Sequence, residues 1–309
     1  MNSASAPAYL IVNADDYGYF RCVSRGILEA ATRGIVTATG VFANSQRFDD
    51  DVPALRECEQ LDAGVHLNLT DGRPLTTDMR ARLARWGGRF PGKFAIAAAV
   101  ATGRVPVATV ELEWRAQIER CLAAGLTLRF LNSHEHIHMH PRLFGLVQHL
   151  ADEFGIAHVR YTTATPRQAS GGGALARSAI VNGLAAAVRR QLDRPVARFL
   201  GLECSGRIGP TDLDAMTASL QPGAVYELMC HPGHLDRAEI ADPRLLGYHD
   251  WERERAALTE PSLPAMLAAR AVRLVRYRDV DVAEGRLVLR RDRATATESA
   301  GADGGTRLA

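Results

Sequence analysis

The sequence predicts an α/β protein in which βα units build a mainly parallel sheet or barrel. Three observations lead there. Short apolar or β-branched runs alternate with helical patterns over about 270 residues. The first run, "YLIV" (Tyr9 to Val12), is apolar throughout and stops at a polar turn, as a buried parallel strand does. The 309 residues, without an internal repeat, can bury a sizeable core as one large α/β domain or two smaller ones.

The elements follow in order. After "YLIV", a helical pattern runs from about Ser24 to Thr32 and stops at Gly34. "IVTATGVFAN" is rich in β-branched residues and reads as a second strand. Asp50 to Leu61 reads as helix and "AGVHLNL" as strand. Val110 to Ala124 has helical periodicity and ends at Gly125, and "LTLRFL" alternates as a strand. Pro141 to Phe154 reads as a helix with proline in its first turn. "IAHVRY" and "AVYELMC" are later strands, with helices near Ala174–Leu192 and Asp212–Leu220 between them. "SGGG" (Ser170 to Gly173) reads as a loop, and the polar tail from Arg291 as disordered.

Composition excludes several functions. The net charge of +2 gives no electrostatic case for nucleic acid or an anionic membrane. Lys93 is the only lysine, and it lies in neither a Schiff-base nor a phosphate-loop motif. Five scattered cysteines without C-x-x-C spacing point to reduced thiols in a cytoplasmic protein. The N-terminus lacks the basic region of a signal peptide, and no apolar run approaches the ~20 residues that cross a bilayer.

Chemistry-bearing residues gather where parallel α/β folds place their sites, after the C-terminal ends of strands. Asp15 and Asp16 follow the first strand, His66 closes "GVHLNL", and His231 follows "YELMC". A run of alternate histidines (His134, His136, His138, His140) follows "LRFL". In a parallel sheet these groups converge. One carboxylate with two imidazoles suits a divalent ion, and a neighbouring carboxylate suits a general base.

The run also spells H-E-x-x-H at His134, Glu135 and His138. That zinc-protease motif works on a helix. The strand periodicity before it instead predicts an extended segment, with His134, His136 and His138 on one face and Glu135 on the other. The protease reading is kept as a minor alternative.

Taken together, "LIVNADDYG", "GIVTATGVFAN", "GVHLNLTDGRPL", "NSHEHIHMHPRLF" and "ELMCHPG" resemble the YdjC-like carbohydrate deacetylases, also called the ChbG/HpnK family, over roughly Leu10 to Gly233. The resemblance implies a single-domain (β/α)-barrel-like fold related to the polysaccharide deacetylases, covering residues 1–290, with residues 291–309 as the tail. It implies metal-dependent removal of an N-acetyl group from an amino sugar. Asp16, His66 and His134 would hold the metal, Asp15 would be the base and His231 the acid. His136 and His138 would support the site or face substrate, and His140 would lead into the next helix.

Zinc is the first expectation for the ion, with magnesium, nickel, cobalt or manganese as alternatives. Asn132 stands where the family commonly has an aspartate, which predicts a weaker hold on a ligand imidazole. Family substrates include chitooligosaccharides, hopanoid glycolipids and lipid-carrier-linked amino sugars of lipopolysaccharide modification. The segment 79–107, basic with Trp86, Phe90 and Phe94, suits a lid or a peripheral membrane contact and inclines the reading toward a lipid-linked sugar. A homodimer is the default assembly. The competing readings are a metal-dependent amidase or peptidase and a non-catalytic carbohydrate-binding protein on the same scaffold.

Overall fold

The computed structural model describes residues 6–165 and 172–290. The first strand, β1 (Ala8–Tyr17), is buried along all ten residues. Its even positions Leu10, Val12 and Ala14 join the main core, while Tyr9 and Ile11 join a smaller cluster with Phe130, Tyr277 and Val280. The alternation is that of a strand covered on both faces, which is why "YLIV" is apolar without a break. Continued, the odd face carries Asn13 and Asp15.

The other strands are β2 (Ala38–Val41), β3 (Asp62–Leu67), β4 (Leu128–Ser133), β5 (His158–Val159), β6 (Arg198–Leu200), β7 (Val225–Cys230) and β8 (Val272–Leu274). Their order is β5-β4-β3-β2-β1-β7-β6, and every pairing is parallel. One edge of β1 is taken by β7 from Tyr9 to Ala14. The other is shared: β8 pairs Ala8–Leu10, and β2 pairs Asn13–Tyr17. An antiparallel hairpin, β9 (Val280–Ala283) with β10 (Arg286–Leu289), lies apart from this sheet.

Helices α1 (Arg21–Thr32), α2 (Phe48–Glu57), α3 (Thr77–Arg82), α4 (Lys93–Ala101), α5 (Val107–Ala123), α6 (Phe144–Glu153), α7 (Gly172–Val188) and α8 (Pro210–Ala218) lie between the strands. Three more, α9 (Pro243–Tyr248), α10 (Trp251–Leu258) and α11 (Leu263–Ala269), separate β7 from β8.

The sheet is curled into a barrel-like trough. Strands β5 and β1 are four places apart, about 19 Å on a flat sheet at ~4.8 Å per strand. Yet Arg160, directly after β5, bonds Asp15 on β1 at 2.6 Å, a reach no single side chain makes across a flat sheet. The base of the trough is closed by Tyr277, whose ring stacks on Phe130 at 4.3 Å.

The expected strands and helices are found with shifted ends. Pro141 falls before α6, in a turn where Leu143 and Phe144 both donate to the His140 carbonyl. Of "SGGG", Ser170 and Gly171 lie outside the described residues and Gly172 opens α7, so its second half is helical. The expected disordered tail also lies outside them. Segment 79–107 comprises part of α3, a 3-10 turn and α4, and it places Met79, Leu83, Ile96, Val100 and Val105 in the main core.

Candidate active site

Each site residue expected from the sequence sits at or just past the C-terminal end of a strand. Asp15 and Asp16 end β1, His66 is on β3, His134 follows β4 and His231 follows β7. One ligand atom each from Asp16, His66 and His134 lies within 4.8 Å of the others. His134 Nδ1 is 3.0 Å from Asp16 Oδ1, and His66 Nε2 is 3.2 Å from the same oxygen. The two rings meet edge-on at 71°, and Phe42 packs against both at centroid distances of 4.8 and 5.5 Å.

An ideal strand would send Asp15 and Asp16 to opposite faces. Asp16 instead has φ 72, and the β1–β2 register shifts between Ala14 and Tyr17. Left-handed backbone at a non-glycine costs about 1–3 kcal/mol and persists only where its surroundings enforce it. Here Tyr19 donates to the Asp16 carbonyl at 3.0 Å and Phe42 to the Tyr17 carbonyl at 2.8 Å. The twist turns both carboxylates toward His66, whose Nδ1 lies 3.7 Å from Asp15 Oδ1.

A chain of hydrogen bonds orients these groups. Asp15 is anchored by a two-pronged bond from Arg160, Nη1 to Oδ2 at 2.6 Å and Nη2 to Oδ1 at 2.9 Å. Oδ1 also accepts from Asn13 Nδ2 at 2.7 Å and Asn132 Nδ2 at 2.8 Å. The ionised Asp15 only accepts, so the Asn132 amide must point its nitrogen there and its oxygen toward His66. That oxygen is 2.8 Å from His66 Nδ1. His66 Nδ1 therefore donates to Asn132, and Nε2 faces the Asp16 carboxylate. Asp16, His66 and His134 so placed offer one carboxylate and two imidazoles to a common point, a donor set that suits a divalent ion. Asn132 thus does orient His66 despite being an amide.

The electrostatics follow the same contacts. Burial would raise the Asp15 pKa, but the Arg160 guanidinium and His66 outweigh it and hold the carboxyl at about 2. Asp16 is likewise driven well below the carboxylate range, with burial opposed by His134 and His66. His134 gains in the same exchange: burial lowers it, and the Asp16 carboxylate raises it further. His231 is depressed by burial, with Asp16 and Asp15 opposing. Its Nδ1 is buried without a hydrogen-bond partner among the described residues.

The histidine run is not extended. Glu135 and His136 have φ 51 and 56, two consecutive left-handed residues that turn the chain after Ser133. His134 points to Asp16, whereas His138 Nδ1 bonds Ser133 Oγ at 2.6 Å and its Nε2 bonds the Arg160 carbonyl at 3.0 Å. The expected common face is therefore broken, and the zinc-protease reading fails with it, since the 3-10 segment His134–Met139 is kinked at Glu135 and His136 and sends the His134 and His138 rings to different partners. Burial first, then Arg160, pushes His138 down to about 3, as fits a neutral ring that braces Arg160. His136 Nδ1 bonds Thr162 Oγ1 at 3.2 Å, and His140 Nδ1 accepts from the Arg142 amide at 3.2 Å.

Several site residues escaped the sequence reading. Arg160 has a fully buried side chain and also bonds Glu227 of β7 at 2.6 Å. The signal was present, because a charged residue inside "YELMC" and one at the end of "AHVR" are out of place in apolar strands. Glu254 of α10 accepts the His231 amide at 2.5 Å and the Ile208 amide at 3.2 Å. The His231 ring is 4.9 Å from His249, which stacks on Trp251. The "HPG" turn rests on α1, where a Cβ at Gly26 would come within 2.4 Å of Gly233 Cα.

A curled parallel sheet with acids and imidazoles converging at its C-terminal rim defines an α/β protein with a candidate metal centre. The family model described as YdjC-like protein matches residues 9–269, and the chain belongs to that family. It is 33% identical over 273 residues to a carbohydrate deacetylase of Geobacillus stearothermophilus, covering 88% of this chain and 98% of that one. It is 32% identical over 280 residues to a chitooligosaccharide deacetylase of Escherichia fergusonii, again covering 88% and 98%. A crystal structure of an Enterococcus faecalis protein, proposed to cleave cellobiose phosphate, superposes with a TM-score of 0.66 at 24% identity, covering 88% and 98%. That likeness speaks to the fold.

Proposed function

We propose that this protein is a metal-dependent carbohydrate deacetylase that hydrolyses the N-acetyl group of an amino sugar. The observation that carries the reading is the convergence of Asp16, His66 and His134, one ligand atom each within 4.8 Å of the others, in a chain whose relatives are named as carbohydrate deacetylases. Asp16, His66 and His134 would hold one divalent ion, zinc first. When bound, the ion supplies Lewis acidity for the attacking water and the acetamide carbonyl.

The remaining work belongs to the side chains. Among the described residues Asp15 Oδ2 accepts only from Arg160, which leaves it a lone pair with which to take a proton from water. Its low basicity is offset by fixed placement, since four donors hold the carboxylate in one orientation. His231, once protonated, gives its proton to the departing nitrogen. Burial makes its imidazolium the stronger acid. Water adds to the carbonyl carbon, the C–N bond breaks, and acetate and a free amine leave.

Residues 1–290 form the catalytic domain in this reading, with 79–107 at the rim of the site. Lys93 Nζ bonds Glu135 Oε1 at 2.8 Å, which ties α4 to the turn beside His134, and Phe94 next to it is 79% exposed. An exposed aromatic at the mouth suits an amino sugar carried on a lipid, met at a membrane face from the cytoplasm.

Metal-loaded protein incubated with N-acetylated mono- and oligosaccharides, a lipid-linked N-acetyl sugar and an N-acetyl peptide tests the proposal by acetate release. Release from sugars alone is expected. Release from the peptide alone would make it a different amidase, and sugar binding without acetate would make it a non-catalytic binder.

A further inference from the structure

At the opposite end of the barrel from the metal ligands, the structure has a cleft of about 690 Å³ lined by the starts of β3 and β4 and the loop before β9. Asp62 and Ala63 line it, and His66 lies four residues further along β3, so the cleft is about 13 Å from the site at ~3.3 Å per residue. A ligand in it would not touch the substrate.

Its charge is lopsided. Four arginines (Arg56, Arg129, Arg276, Arg278) face two acids, Glu59 and Asp62. Two of the arginines are pinned. Arg278 bonds Asp62 through Nε and donates from Nη2 to the Leu61 carbonyl at 2.9 Å, and Arg276 pairs with Asp279 at 3.2 Å. The other two have no carboxylate partner among the described residues. Arg56 lies against Gly125, where a Cβ would come within 3.3 Å of its Cζ, so the glycine leaves room for the guanidinium. Arg129 projects from β4 into the same space.

We propose that this cleft binds a small phosphate-bearing anion. Guanidinium groups present paired N–H donors that match phosphate oxygens, and two without a carboxylate partner beside two fixed ones make a wall for a dianion. The volume falls in the range of small-metabolite sites, about 300–1,000 Å³, and exceeds what a bare phosphate fills. The proposal stands apart from the deacetylase reading, because neither Arg56 nor Arg129 lies near the metal ligands.

Isothermal titration of the metal-loaded full chain with glucose 6-phosphate, inorganic phosphate and, as control, glucose at matched ionic strength tests it. One saturable phosphate-dependent site is expected, weakened about tenfold or more in R56A/R129A. The thermal midpoint and acetate release of that variant should stay at wild-type levels. Tighter binding of the ester would identify a phosphorylated metabolite as the source, and equal binding would identify free phosphate. If R56A/R129A folds poorly, R56E alone, at an exposed helix end, should abolish binding. Absence of saturable binding to wild type, or undiminished binding to the variants, as from phosphate held at the metal centre, overturns the proposal.

Discussion

Replacing Arg160 by methionine would remove the cation that Asp15 and Glu227 share. Its side chain is wholly buried and bonds both carboxylates, at 2.6 and 2.9 Å to Asp15 and at 2.6 Å to Glu227. Methionine roughly preserves the bulk, so the loss is electrostatic. Breaking a buried ion pair costs about 3–5 kcal/mol, counted once here because one cation serves both acids. At ~2 °C per kcal/mol for a chain of this size, the midpoint should fall by about 6–10 °C at pH 7.5.

The pH dependence gives the sharper test. In the wild type Asp15 is depressed to about 2, so its stabilisation is present above its ordinary 3.8 and lost as pH falls through about 2. Glu227 is raised already, by burial against the opposing Arg160. Without Arg160, burial governs both acids and lifts them above their unfolded values, so ionising them opposes folding. The deficit of Arg160→Met should therefore be full near pH 7.5 and shrink as pH falls toward 5. Calorimetry of both proteins across that range measures it. A midpoint within about 2 °C of wild type at pH 7.5, or a deficit indifferent to pH, would refute the reasoning.

Other outcomes follow from the same geometry. Asp15→Asn should keep the metal, read by elemental analysis, yet lower acetate release by about 10²–10⁴-fold; near-normal turnover would remove Asp15 as the base. Asn132→Leu should free the His66 ring and weaken metal binding about 10–100-fold in a competitive chelator titration, and unchanged affinity would deny the orienting role. Chelation of the bound ion should lower the thermal midpoint, with about 2.7 kcal/mol lost if free metal had stood at a hundred times its Kd. Phe94→Asp should reduce co-sedimentation with anionic liposomes without moving the midpoint, because Phe94 is 79% exposed; equal sedimentation would remove the membrane contact.

How much of this was legible in the sequence depends on how local each cause is. The apolar run before Asp15, the strand bearing His66 and the "HPG" after β7 announce themselves by pattern, and parallel strands must bring such ends together. Backbone twists at Asp16, Glu135 and His136 leave no such mark, since αL conformations in these residue types are imposed by packing. Reading the histidines as extended failed for that reason. The braces were hidden differently: Arg160 reaches Asp15 only because the sheet curls, and Glu254 reaches the His231 amide from a helix near the end of the chain. A sequence marks such residues as misplaced charges without saying whom they meet.

The divided edge of β1 has a consequence for how the protein is made. Its first residues are synthesised well before β8, and Ala8–Leu10 are not hydrogen-bonded along that edge until Val272–Leu274 has followed. Until then the chain exposes an unpaired apolar ribbon that other nascent chains can pair with. Truncation before β8 should therefore yield insoluble material even though every group proposed to hold a metal or move a proton has already been translated.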